Sequence, residues 1–367
     1  MRASTWIAGV ILWPGVMASQ AASSAPAQDG RPPKLHQIRF SPDGRYVLAQ
    51  NDSDVTVLMA RPLRVLFRIP APAATPAEFS PDSKEVSFAS PGPQADSKHI
   101  ALAKGETTVE RWNIENRTRD SASALRLPEC ETEGLSPDGG TLACVDVSGK
   151  LSIADVRSAA VILERPFSRQ SVLFGPPGRE FPVHTMGDPG LAIVRFSPDG
   201  RYLIASCLGG IGHPLAFEVA ERRIVKLGGI LSKLGGPDYG YFTFSTSDQV
   251  VTLSPFLREH RGFAIGRVVE FPSGKVIMKP RLPPDPLFPT MDPGFVLVRP
   301  FGKHGRIEDP DPRRSAAVEL RTGQVIVSES PVLDVLGQFY VTQRPNGEVG
   351  LYERGKGLQA AVSLTGN

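Results

Sequence analysis

Histidine is the side chain best suited to bind a metal or move a proton near neutral pH, and this chain has six: His36, His99, His184, His213, His260 and His304. No two show a metal-ligand spacing such as His-Glu-x-x-His, so any site must be assembled from distant segments. The candidate ligand-binding set is His184, His213, His260 and His304, with Asp188 and Arg258 nearby in sequence. Converging imidazoles of this kind would suit a metal-dependent hydrolase acting on a lactone or ester. The competing reading is that these polar side chains fall in loops and are solvated one by one. The sequence assigns no catalytic residue, no resident metal and no cofactor.

Other chemistries find less support. There is no Gly-x-Ser-x-Gly elbow for an α/β-type serine hydrolase and no Cys-x-x-Cys-His haem attachment. Gly209, Gly210 and Gly212 form a glycine cluster, but no Lys-Ser/Thr follows to complete a phosphate-cradling loop. Lys and Arg total 41 against 38 acids, a net charge of +3, which gives no electrostatic case for nucleic acid. The most basic stretch, Arg299 to Arg314, also holds Glu308, Asp309 and Asp311 and reads as a solvated loop. Asn51–Asp52–Ser53 and Asn116–Arg117–Thr118 match the N-glycosylation triplet and are taken as chance.

The elements that must position any site are announced by a repeated phrase. It reads Phe40–Ser41–Pro42–Asp43–Gly44–Arg45–Tyr46, then Phe79–Ser80–Pro81–Asp82–Ser83, Leu135–Ser136–Pro137–Asp138–Gly139 and Phe196–Ser197–Pro198–Asp199–Gly200–Arg201–Tyr202. A decayed copy runs from Phe244 to Asp248. Proline presets φ at the first central turn position, and Asp and Gly suit the reversal after it. Strand-like runs flank each copy, so each reads as a β-hairpin. A second phrase follows each hairpin at a variable distance: Thr108 to Ile114, Lys150 to Val156, Pro214 to Val219, Gly266 to Phe271, Ser315 to Leu320 and Gly347 to Tyr352. A short turn and one more apolar run usually complete the unit, giving four strands.

In these motifs the chain resembles the WD-repeat-like β-propeller family, particularly its divergent bacterial exported members. The resemblance covers nearly all of Leu35 to Leu364. The Gly-His pair of that family does not recur with the units, Gly212–His213 standing alone, and only Trp112–Asn113 approaches its Trp-Asp pair. The fold class is therefore all-β: a propeller of four-stranded blades, with seven units near 35–70, 76–128, 129–167, 190–230, 238–280, 288–329 and 331–366. Units six and seven lack the turn phrase and rest on strand pattern alone, so six or eight blades stay open. Val47, Val86, Leu142, Leu203 and Val251 should be inter-blade core. The ring closes either by simple contact or with the tail Gly357 to Leu364 as its last outer strand.

Strand direction alternates within a blade, which puts every Ser-Pro-Asp-Gly turn on one rim. The long connections, Ala89 to Thr107, Ser168 to Gly190, Cys207 to His213, Ser254 to Gly262 and Arg299 to Arg314, fall on the other rim with the histidines. Glu218, Glu270 and Glu319 recur at matching places in their units, which argues for a structural role, since a site needs unlike residues from different blades.

Arg2, the apolar run Trp6 to Met17 and the small residues after it read as a signal peptide over 1–21, cleaved between Ala18 and Ala22; an uncleaved anchor is the alternative. A flexible Ala/Ser/Pro-rich linker occupies 22–34, and 35–366 form the propeller. Export to a periplasm or beyond the cell follows. Cys130 and Cys144 are the likeliest pair among three cysteines, but they flank a tight turn asymmetrically, so free buried thiols are expected for Cys130, Cys144 and Cys207. The leading function is a non-catalytic scaffold offering the long-loop rim to a protein, peptide or glycan.

Overall fold

The computed structural model describes residues 35, 37–71, 77–91, 105–127, 130–146, 150–166, 192–207, 214–234, 241–258, 264–283, 287–299, 315–326, 328 and 330–364. The expected signal and linker segments, 1–34, lie outside the described residues. Among the described residues no helix is long and apolar enough to cross a membrane.

The sheets are seven antiparallel blades, each contiguous in sequence. Blade one is β1 (Gln37–Phe40), β2 (Tyr46–Gln50), β3 (Asp54–Met59) and β4 (Arg64–Pro70). Blade two is β5 (Glu78–Phe79), β6 (Glu85–Pro91), β7 (Gly105–Asn113) and β8 (Thr118–Leu127). Blade three holds β9 (Cys130–Leu135), β10 (Thr141–Asp146), β11 (Lys150–Asp155) and β12 (Ala160–Pro166). Blade four holds β13 (Ala192–Phe196), β14 (Tyr202–Cys207), β15 (Leu215–Glu218) and β16 (Arg223–Val225). Blade five has β17 (Tyr241–Thr246), β18 (Gln249–Arg258), β19 (Ala264–Glu270) and β20 (Val276–Met278), with β21 (Arg281–Leu282) also on β19. In blade six β22 (Leu287–Pro289), β23 (Phe295–Val298) and β24 (Ala316–Glu319) are full strands, and a single bridge, Val318 to Val325, stands for the fourth. Blade seven is β25 (Val332–Leu336), β26 (Phe339–Gln343), β27 (Val349–Glu353) and β28 (Gly357–Val362). The seven-bladed count and nearly all unit boundaries agree with the repeat pattern.

Seven apolar clusters of described residues hold the blades together, one at each blade-to-blade interface. Successive residues of a second strand serve opposite neighbours, because side chains alternate across a sheet. In β10, Leu142 and Cys144 pack toward blade two, whereas Ala143 and Val145 pack toward blade four. Both sheet faces are therefore buried, and the second strands read as continuous apolar runs. Val47, Val86, Leu142, Leu203 and Val251 are all fully buried, as the pattern implies. Truncating one of them, as in Leu203→Ala, should cost about 2–5 kcal/mol through the cavity left behind.

The ring closes by contact. Leu333, Val341 and Leu351 of blade seven pack on Ile38, Val47 and Leu58 of blade one, and Arg68 donates to the carbonyl of Leu364. The tail is also used, as β28, but it completes blade seven rather than joining blade one.

The repeated phrase owes its persistence to one hydrogen-bond set. Ser41, Ser80, Ser136 and Ser197 each donate Oγ to the Asp two residues on, at 2.6–2.7 Å. Each hydroxyl then accepts from the backbone N–H five residues on, at 2.8–2.9 Å. The fourth residue sits at φ 61–73°, suited to Gly44, Gly139 and Gly200 and occupied in blade two by Ser83. Blade six hides a variant of the turn, in which Thr290 and Asp292 replace Ser and Asp and Gly294 donates to Asp292 at 2.8 Å.

The cysteine expectation is corrected. Cys130 and Cys144 form a disulfide with Cα atoms 5.5 Å apart. They are indeed not register partners, since Cys144 faces Glu133 and Cys130 faces Asp146. A register shift between Val145 and Asp146 places the two cysteines diagonally, within bonding reach.

Candidate functional site

The first strand of each blade is its innermost and lines the axis. On these strands the position two residues before the turn hydroxyl is occupied by Arg39 in blade one, Glu78 in blade two, Gly134 in blade three, Arg195 in blade four and Thr243 in blade five. Here the repeat supplies unlike residues at one structural place. Arg39 reaches sideways to form an ion pair with Glu78, each side chain keeping about a fifth of its surface, 21% and 23%. The two innermost strands turn that surface toward the channel.

Arg195 interacts electrostatically with Glu78 and Arg39, although blade three separates blades two and four on one side. Gly134 contributes no side chain to the intervening position. Arg299, directly after β23, feels Asp334, Arg39 and Arg195, so charges from blades one, two, four, six and seven meet across the axis.

Asp334 is fully buried and ties three blades together. It accepts from the N–H of Phe40 in blade one at 2.7 Å, of Met291 in blade six at 2.9 Å and of its neighbour Val335 at 2.8 Å. Burial nonetheless pushes its carboxyl up to about 6, against the opposing pull of Arg39 and those three donors. Burial likewise raises Glu78 despite its Arg39 partner. The guanidinium of Arg195 is lowered by burial and by Arg39, and that of Arg299 falls to about 10 through burial and its like-charged neighbours. Arg299 also stacks over the Phe288 ring at 4.5 Å.

The turn rim is occupied by its own contacts. Asp43 N–H donates to Ser83 at 3.1 Å, Arg111 to the carbonyl of Gly139 at 3.4 Å, and Gly337 N–H to Asp292 at 3.0 Å. Arg61 lies over the Phe339 ring at 4.4 Å. An open cleft of about 300 Å³ remains between blades two and three, lined by Asp82, Glu85, Arg111, Asp138 and Arg157.

The recurring acids close their own turns. Glu218 receives Arg201 at 2.8 Å and pairs with Arg223, Glu270 accepts from Ser273 at 2.7 Å, and Glu319 accepts from Thr322. Their structural role is thereby visible.

The sequence-derived candidates fare differently. His184, Asp188, His213, His260 and His304 lie outside the described residues, as do His36 and His99. Arg258 has a described backbone, paired with Ala264 at the end of β18 rather than in a loop, but its side chain is outside them too. Among the described residues no cluster of three His, Cys, Asp or Glu is arranged to hold a metal. Arg39, Glu78 and Arg195 share one column of the repeat, a relation that residue type alone does not carry and that alignment of the repeats two residues before the turn hydroxyl does.

No protein-family model and no curated protein sequence matches the chain. Solved structures do. The hydrazine synthase of Kuenenia stuttgartiensis superposes with a TM-score of 0.52 at 13% identity, covering 93% of this chain and 100% of that one. The β-propeller domain of Cps50 (Swd1) from Myceliophteria thermophila gives a TM-score of 0.52 at 12% identity, covering 91% and 98%. The fold is that of a WD-repeat-like β-propeller. At such identities the propeller shares architecture with these two structures and nothing finer.

Proposed function

We propose that this propeller is an exported, non-catalytic binding scaffold that offers one rim to a protein, peptide or glycan partner. The observation that carries the reading is topological. The strand ends bounding segments 92–104, 167–191, 208–213, 259–263 and 300–314 all belong to the rim opposite the Ser-Pro-Asp-Gly turns. Long segments carried on a rigid frame are where binding residues concentrate. His184, Asp188, His213, His260 and His304 fall in those segments of the sequence, and Arg258 borders one of them. Export is supported by Arg2, the apolar run Trp6 to Met17 and the small residues that follow.

The test compares three forms of the mature chain: wild type, a form with 92–104 and 300–314 replaced by Gly-Ser linkers, and Arg111→Ala on the turn rim. Each is used to capture partners from periplasmic and secreted fractions. A partner lost only with the replaced segments supports the reading, and one lost only with Arg111→Ala moves the interface to the other rim. N-terminal sequencing of the exported chain should begin between Ser19 and Ala22; a start at Met1 would make the apolar segment an anchor.

A further inference from the structure

The geometry points to the axial channel, at the level of Arg39, Arg195 and Arg299, as a binding site for a small oxyanion of the phosphate or carboxylate type. This inference is independent of the rim-binding reading.

Among the described side chains the charges do not cancel: three guanidinium groups meet two carboxylates. Glu78 is engaged by Arg39, and Asp334 has both oxygens committed to three backbone donors. Arg195 and Arg299 are left without a carboxylate in contact among the described residues.

Part of their hydrogen-bonding capacity is also unused. The Nε of each is buried and has no partner among the described residues. The one hydrogen bond seen for Arg195 runs from Nη1 to the carbonyl of the adjacent Val194, at 3.0 Å. Phe288 covers a face of the Arg299 guanidinium. A half-buried cation with a buried, unpartnered donor is costly, and a guanidinium edge is a planar fork whose natural complement is an oxyanion taken by two parallel N–H donors. The sign of the excess excludes a metal cation as occupant. The location argues for a small ligand, because Arg39 and Arg195 stand on innermost strands and Arg299, at the end of a second strand, interacts with both.

The probes are inorganic phosphate and citrate, titrated into the full mature chain by calorimetry at constant ionic strength in chloride. Saturable binding of one anion per chain is expected for at least one probe. Phosphate alone would mark a tetrahedral anion as the ligand class, and citrate alone a carboxylate. Arg195→Gln and Arg299→Gln should each weaken it at least tenfold, Glu78→Gln should tighten it, and the exposed Arg45→Gln should leave it unchanged. Wild-type protein that binds neither anion overturns the inference outright, without recourse to variants. So does binding that Arg45→Gln weakens as much as Arg195→Gln does, since that is screening of surface charge.

Discussion

Two positions only two residues apart behave in opposite ways around this ring. The turn serine is the same residue in blades one to four and satisfies itself locally, giving one hydrogen bond to its Asp and taking one from its own strand. The position two residues before it varies from Arg to Glu, Gly and Thr, and Arg39, Glu78 and Arg195 there interact with other blades. Repetition marks what each blade needs to form. Variation at a repeated place marks what the assembled ring can do that a single blade cannot.

Asp334 offers the largest effect with which to break that contrast, because it is a single-copy residue with a structural duty. Asp334→Asn keeps the shape but turns an amide donor toward backbone N–H groups, and should cost about 3 kcal/mol in denaturant unfolding. An unchanged midpoint would mean that apolar packing alone closes the ring. The wild-type residue also sets a pH dependence. Its carboxyl titrates near about 6 when folded, above the unfolded value of 3.8, so the native chain holds a proton that the unfolded chain has released. Its contribution to stability is greatest below the unfolded value and lost as pH rises through about 6. Unfolding at pH 4.5 and 7.5 should show a decline of about 2–3 kcal/mol in wild type relative to Asp334→Asn.

Next comes the bridge in blade three. Cys130→Ser/Cys144→Ser should lose about 3 kcal/mol, the entropy of an opened loop of that length. Thiol titration in denaturant should find one free cysteine before reduction and three after it. Three beforehand would remove the bridge.

The repeated position should respond uniformly. Ser41→Ala, Ser80→Ala, Ser136→Ala and Ser197→Ala should each cost about 1–2 kcal/mol by thermal unfolding, with little spread, because each loses the same two contacts. A wide spread would show that the turns depend on their neighbours. The smallest effect is expected at Arg195. Arg195→Met removes a half-buried cation that has no carboxylate in contact among the described residues, and the melting temperature should hold or rise. A fall of several degrees would show that the cross-axis attraction to Glu78 is structural.

The fold was legible because its signals are local and repeated: a turn phrase, a strand length and an apolar second strand buried on both faces. The bridge was not, because a straight hairpin keeps Cys130 and Cys144 apart and the bulge that joins them has no sequence signature. Blade six concealed its turn by using Thr290 and Asp292 with Pro293 between Asp292 and Gly294. Of the channel set, Arg39, Glu78 and Arg195 could have been found by stacking the repeats at one column. Arg299 and Asp334 could not, since Arg299 sits at the end of a second strand and a shifted register between Val332 and Asp334 moves blade seven out of step.

The seam between the first and last blades has a genealogical consequence. No strand is exchanged across it, and every blade is one uninterrupted stretch of chain. The same protein could thus be cut at any inter-blade linker and rejoined at the seam, and each blade would still fold from its own residues. A gene of this design can gain or shed a blade in one in-frame event, with only the two flanking interfaces left to repack.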